Sequence, residues 1–133
     1  MPIIEVHLLE GAHTAAQHQS LLTALTRRYS EVLDRPVGSV RAFLVLHRPE
    51  HWATGGAVGV PAPFFTALVL AGGSVEQRHR LLGGFTDVLV DVLGVDRALV
   101  RGRIVPVDPD DWAVGGVPAS AARRSETAAR SPG

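Results

Sequence analysis

Apolar and polar positions alternate between two periods along this chain, and the alternation happens twice. Ile3 to Leu9 is a short run rich in Val, Ile and Leu, closed by Gly11, and reads as a strand ending in a turn. Next, Leu21, Leu22, Leu25, Tyr29, Val32 and Leu33 recur at spacings of three and four, which puts one apolar stripe on a helix. Thr14 with Gln17 is a capping box at its start, and Asp34-Arg35-Pro36 ends it. A second strand is predicted over Val40 to His47. The same series returns with a strand over Phe64 to Leu70 and a capping box at Ser74 and Gln77. The helix stripe is Leu81, Leu82, Phe85, Val88, Leu89, Val92 and Leu93, Gly94 stops it, and a strand over Leu99 to Val107 follows.

Displaced by 60 positions, the two halves overlay residue by residue. Thr14-Ala15-Ala16-Gln17 falls on Ser74-Val75-Glu76-Gln77, Val40-Arg41 on Val100-Arg101, and Trp52-Ala53-Thr54-Gly55-Gly56 on Trp112-Ala113-Val114-Gly115-Gly116. The first strands align with one further shift, which sets Pro2 on Pro63. Each half is therefore a β-α-β unit, whose two strands must lie parallel. The predicted fold is α/β (α+β): a tandem β-α-β repeat forming a four-stranded sheet with two helices on one face. Residues 1–60 form the first unit and 61–120 the second unit of one domain. Residues 121–133, rich in Ala, Ser and Arg, are expected to be a flexible tail. Two helices cover only one face of the sheet, so the apolar strands call for another subunit on the other.

Composition narrows the function. The chain has 133 residues, 46% of them apolar, enough for one domain with a core. Thirteen basic residues balance thirteen acidic ones, which offers no electrostatic footprint for nucleic acid or an anionic membrane. No cysteine is present, so disulfides, thiolate chemistry and Cys-ligated zinc are excluded. No apolar run spans a bilayer, and the acidic start does not read as a signal peptide, so a cytoplasmic location is expected.

Pro2 is the chemically unusual residue. If Met1 is removed, Pro2 carries a rigid secondary amine at the head of a buried strand. An α-amine ordinarily titrates at about 7.7 to 8.0, and burial or nearby cations push it down, toward a useful general base. With Met1 in place the nitrogen is an amide and the chemistry fails. Read in isolation, Pro2 is better explained as the first residue of an edge strand.

The arrangement Pro2-Ile3, His7-Leu8-Leu9-Glu10-Gly11, a helix, Ser39-Val40-Arg41, an aromatic residue and Gly-Gly resembles 4-oxalocrotonate tautomerase, and the chain is identified as a member of the tautomerase superfamily, with a tautomerase/MIF-like fold. The second half closes in a similar way with Trp112 to Ser120. A tandem chain of this size is similar to the fused members, and to the cis-3-chloroacrylic acid dehalogenase and malonate semialdehyde decarboxylase branches. The resemblance implies a homotrimer, no cofactor, and Pro2 as general base or acid on an enol or 2-oxo acid. It implies Arg41 as the residue that binds and polarises the substrate, and Arg101 in the same place of the second unit. Trp52 and Trp112 stand where the family keeps an aromatic wall. Tyr29 aligns approximately with a histidine of the dehalogenase branch and would donate a hydrogen bond there, although its place on the apolar stripe favours core packing. Pro63 is internal and cannot be a base. The arginine that the family commonly carries after the first strand's glycine is replaced by Ala12 and Gly73, which disfavours a dicarboxylate substrate and also the dehalogenase and decarboxylase assignments. Hydratase-, dehalogenase- or decarboxylase-type chemistry on an unsaturated or 3-oxo acid, with Asp111 as a candidate water-activating acid, and a non-catalytic oligomer remain as alternatives.

The histidines point elsewhere. His7 shares a strand face with Glu5 and reads as a structural pair. His13 and His18 flank a helix start and read as solvated. His47 and His51 straddle a strand end, so no metal site is expected.

Overall fold

A computed structural model describes residues 2–122. Four strands form the main sheet in the order β2-β1-β5-β6. Strand β1 (Ile3–Leu9) pairs parallel with β2 (Arg41–His47), Ile3 opposite Arg41. Strand β5 (Phe64–Leu70) pairs parallel with β6 (Arg101–Val107), Phe64 opposite Arg101. The halves join through an antiparallel β1–β5 pair with Ile3 opposite Leu68. Helices α1 (Ala15–Leu33) and α2 (Val75–Leu93) link the strands of each unit and pack on each other. Two hairpins, β3 (Ala53–Thr54) with β4 (Ala57–Val58) and β7 (Ala113–Val114) with β8 (Val117–Pro118), close the units. Their Gly-Gly turns have φ of 57° and 82° at Gly55 and Gly56, and 57° and 81° at Gly115 and Gly116, the left-handed pair that a tight hairpin demands. The predicted duplication thus extends to individual backbone bonds: the N–H of Arg41 donates to the Pro2 carbonyl at 2.9 Å, and that of Arg101 to the Pro63 carbonyl at 3.0 Å.

The core lies between sheet and helices. Ile4, Val6 and Leu8 of β1 and Phe65, Ala67 and Val69 of β5 meet Leu21, Leu25 and Tyr29 of α1 and Leu81, Phe85, Val88 and Leu89 of α2. Tyr29 stands edge-on to Phe85, and Phe85 edge-on to Phe65. Phe65 in turn lies over Gly102, where an added Cβ would fall 2.1 Å from the ring. Gly102 is therefore required by the close approach of an aromatic ring, not by backbone conformation.

The strand and helix boundaries agree with the periodicity to within two residues, the second strands starting later because 3-10 turns occupy Val37–Ser39 and Arg97–Leu99. One capping expectation is corrected. Thr14 and Gln17 form the full reciprocal box, whereas Ser74 accepts from the Gln77 N–H with no bond returned by the Gln77 side chain. The residue ahead of the cap is His13 in the first unit and Gly73 in the second. At Gly73 a Cβ would sit 2.6 Å from Gln77 Oε1, so the amide lies over this glycine, in space that a side chain would fill. Thr14→Ala and Ser74→Ala each remove the one hydroxyl that accepts from the Gln N–H and should cost about 1 kcal/mol in a urea titration, whereas Gln17→Ala should cost more than Gln77→Ala, because only Gln17 returns a bond to the cap N–H. Equal losses in the two glutamine variants would mean that the returned bond contributes nothing.

A second correction concerns His13 and His18, which are half-buried rather than solvated, the Nε2 of His18 having no partner. Partial burial, and then the adjacent His18, hold His13 below its ordinary 6.5. The unfolded chain then binds the proton more readily, so stability is present above the unfolded value and is lost as pH falls toward the lower folded one. Between about pH 7.5 and 5.5 the wild type should lose more of its urea midpoint than His13→Gln. The same drop in both proteins would exclude His13 as the cause.

The expected tail from residue 121 lies almost wholly outside the described residues; 121 and 122 belong to a helical turn. Met1 lies outside them as well. Among the described residues no helix is long and apolar enough to cross a membrane. The sheet face away from the helices presents Ile3, Glu5 and His7 on β1, Phe43 and His47 on β2, Phe64 and Leu68 on β5, and Arg103 on β6. Phe43 remains 44% exposed. On this face His7 Nδ1 lies 2.7 Å from His47 Nε2, and His7 Nε2 lies 3.4 Å from Glu5. The structural pairing expected of His7 with Glu5 is therefore present and extends to His47.

Candidate active site

Pro2 precedes the first strand and is fully buried. Because β5 runs antiparallel to β1, the end of β5 and the turn after it lie beside Pro2. Pro2 accordingly lines a cavity of about 250 Å³ with Val69, Leu70, Gly72 and Gly73 from that turn, Leu33 and Arg35 from the end of α1, and Gln77 from the start of α2. Both repeat units contribute. Among the described residues, none that lines this cavity carries a carboxylate. Gly72, at φ 114°, takes a backbone conformation that a side chain would strain.

The other sequence-derived candidates are distributed around this cavity. Arg41 adjoins Pro2 through the backbone, but its Nη1 donates to the carbonyls of Gly38 at 2.9 Å and Val40 at 3.3 Å, and its side chain is exposed. Arg101 repeats that pattern, donating to Ala98 at 2.7 Å and Val100 at 3.1 Å. Arg101 and Trp52 come together in a separate groove of about 420 Å³, with Thr54, Ala62, Phe64 and Leu99. Trp52 is half-buried there, its indole N–H donating to Thr54 Oγ1 at 3.1 Å and its ring edge-on to His47. Trp112 is buried and lines neither space. The matched tryptophans thus differ in environment. Val114 stands where Thr54 anchors the first.

Tyr29 takes the core position that the apolar stripe favoured, and the substrate contact implied by the resemblance is corrected: the residue is fully buried, and its hydroxyl donates to the Leu68 carbonyl. Burial raises its pKa and keeps it neutral. Asp111 is exposed in the short turn Pro109–Asp111 and does not line the Pro2 cavity. Among the described residues, no group of three or more His, Asp or Glu is placed to hold a metal ion. Arg35 and Gln77 were read in the sequence as a helix stop and a cap. Only the placement of the second unit's turn shows that they line the same cavity as Pro2.

Comparison with known proteins agrees with this architecture. The family profile described as "Tautomerase enzyme" matches residues 63–122, the second unit. The probable tautomerase RSp0893 of Ralstonia nicotianae is 36% identical over 61 residues, 46% of this chain and 87% of that protein. The 2-hydroxymuconate tautomerase of Pseudomonas putida is 34% identical over 56 residues, 42% of this chain and 87% of its own length. Less than half of this chain therefore accounts for most of a one-unit relative. A solved structure described as a Q0 fused 4-OT wild type symmetric trimer superposes with a TM-score of 0.85 at 29% identity, covering 90% of this chain and 98% of that one. Duplicated units and these likenesses together place the chain in the tautomerase superfamily of enzymes, in its fused two-unit form.

Proposed function

We propose that this protein is a cofactor-independent keto–enol tautomerase in which Pro2, freed by removal of Met1, is the general base and acid. The observation that carries the reading is the position of Pro2: buried at the wall of a small cavity, at the point where the two repeat units meet. A secondary amine there would be partly stripped of water, and the neighbouring Arg35 disfavours a second positive charge. Both effects lower its pKa from the ordinary α-amine value of about 7.7 to 8.0 and leave it neutral, able to accept a proton near pH 7. It would take a proton from the enol oxygen, or from the carbon beside the carbonyl, and return one at the other end of the conjugated system. Oriented donors around the cavity would stabilise the enolate charge between the two transfers.

The substrate class is a small enol or 2-oxo acid. The cavity wall of Leu33, Val69 and Leu70 suits an apolar substituent, and Ala12 and Gly73 provide no cation for a second carboxylate. The fused relative is described as a trimer, and the half-apolar open sheet face supports a homotrimer here, located in the cytoplasm. In such a trimer Arg41 and Arg101, at exposed strand starts, would stand at subunit boundaries and complete the neighbouring copy's site, with Trp52 and Trp112 as aromatic walls. Hydration or dehalogenation needs an acid to activate water, and among the described residues no carboxylate lines the Pro2 cavity, so tautomerisation is the favoured chemistry.

The test has two parts. Intact mass shows whether Met1 is gone. An ultraviolet assay on phenylenolpyruvate and 2-hydroxymuconate then measures ketonisation, with the monocarboxylate expected to be the better substrate. A mature protein that keeps Met1 would overturn the reading.

A further inference from the structure

Two polar side chains without a hydrogen-bond partner among the described residues, the exposed Arg35 and the half-buried Gln77, line the Pro2 cavity, one from each repeat unit. Arg35 follows the left-handed Asp34 at the end of α1. Its backbone is pinned on both sides: its N–H donates to the Ser30 carbonyl at 3.1 Å, and the Ser30 hydroxyl donates to the Arg35 carbonyl. Its guanidinium, by contrast, makes no hydrogen bond and no ion pair among the described residues, unlike those of Arg41 and Arg101, which are turned onto their own strand-entry carbonyls. Gln77 enters from α2. Freed from the capping box, its amide lies over Gly73 and makes no side-chain hydrogen bond among the described residues. Around these two groups the cavity wall is Leu33, Val69, Leu70 and the glycines, with no acid among the described lining residues.

We propose that Arg35 and Gln77 together form the anchor for the anionic end of the substrate, Arg35 holding the carboxylate and Gln77 the adjacent 2-oxo or enol oxygen. The assignment rests on the Pro2 reading for its chemistry, but not for the binding it describes. A guanidinium offers two parallel N–H donors that match a carboxylate, and a carboxamide N–H suits the oxygen one carbon away. With the acid held at both points, the carbon that exchanges its proton is directed toward the Pro2 ring. Arg35 then decides specificity: 2-oxo acids bind, and the corresponding esters lose the contact that matters most.

The test compares wild type, Arg35→Gln, Gln77→Ala and Pro2→Ala on phenylenolpyruvate and its methyl ester, with phenylpyruvate binding followed by calorimetry. A charged hydrogen bond is worth enough that Arg35→Gln should weaken phenylpyruvate binding and raise KM for the acid by about 10- to 100-fold. The loss on the ester should be smaller by at least about tenfold, and Arg35→Lys should restore part of the acid's affinity. Gln77→Ala should raise KM for acid and ester alike, by about 3- to 10-fold, because the oxygen it holds is common to both. Pro2→Ala should lose turnover and keep most of the binding. If Arg35→Gln affects acid and ester equally, or if wild type does not bind phenylpyruvate, the anchor is overturned. Should Pro2→Ala turn over normally while Arg35→Gln binds poorly, the anchor stands and the base is wrong. The reverse pattern, with Pro2→Ala inactive and Arg35→Gln binding normally, keeps the base and removes the anchor.

Discussion

Replacing Pro2 by alanine is expected to lower kcat on phenylenolpyruvate by part of the about 10²- to 10⁴-fold that a positioned general base contributes. Alanine at the terminus still carries an amine, so the loss isolates what the proline ring adds, which is rigidity and a fixed direction for the nitrogen lone pair. A chain with an extra residue ahead of Pro2 makes a sharper version, since the nitrogen becomes an amide with no basicity. Its rate should fall at least as far as that of Pro2→Ala, with the fold unchanged by circular dichroism. The pH profile supplies the sign. A base must be unprotonated, so the wild-type rate should fall on the acid side through a group titrating below the ordinary α-amine value of about 7.7. That limb should move upward in Pro2→Ala, whose looser terminus is better hydrated. If the extended chain keeps wild-type kcat, the nitrogen of Pro2 takes no part in the reaction.

The second large effect is structural. Phe85→Ala should destabilise the fold by about 3 to 5 kcal/mol, the usual cost of truncating a buried aromatic residue. Phe85 is completely buried, and it supports Tyr29 on one side and Phe65 on the other. Removing it leaves a void between the two helices and the sheet that the rigid repeat cannot close. For a domain of this size the loss corresponds to a Tm lower by about 10 to 20 °C. Phe85→Leu keeps most of the volume and should lose less than half as much. A shift of only a few degrees in Phe85→Ala would mean that the two aromatic neighbours collapse into the space. Because Leu68, whose carbonyl holds the Tyr29 hydroxyl, is adjacent to the cavity residue Val69, a loosened core should also raise KM.

Much of the architecture could be read from residue spacing. The 60-residue offset, the period of the two helix stripes, the Thr14 and Ser74 caps and the Gly-Gly hairpins are local properties, set within a few residues of each other, and the structure repeats them. The role proposed for Pro2 rests on information of the same kind, since a proline nitrogen is basic only at a chain terminus. The surroundings of Pro2 were not legible. Periodicity within a unit implies the parallel pairs β1–β2 and β5–β6, and the family resemblance makes Arg41 the expected companion of Pro2. Its backbone is indeed adjacent, yet its guanidinium is turned onto Gly38 and Val40. Symmetry between the two units was the available clue to the rest. Two like units joined at their first strands bring the end of β5 to the head of β1.

The sequence by itself determined the duplicated β-α-β plan, the apolar faces and the proline at the head of the first strand, because these follow from composition and short-range spacing. The tertiary structure decided that Tyr29 belongs to the core, that Trp52 and Trp112 differ, and that Arg35 and Gln77 line the same cavity as Pro2. Those outcomes depend on the antiparallel register of β1 against β5 and on which rotamers the packed neighbours leave open, and neither is encoded in any one local stretch.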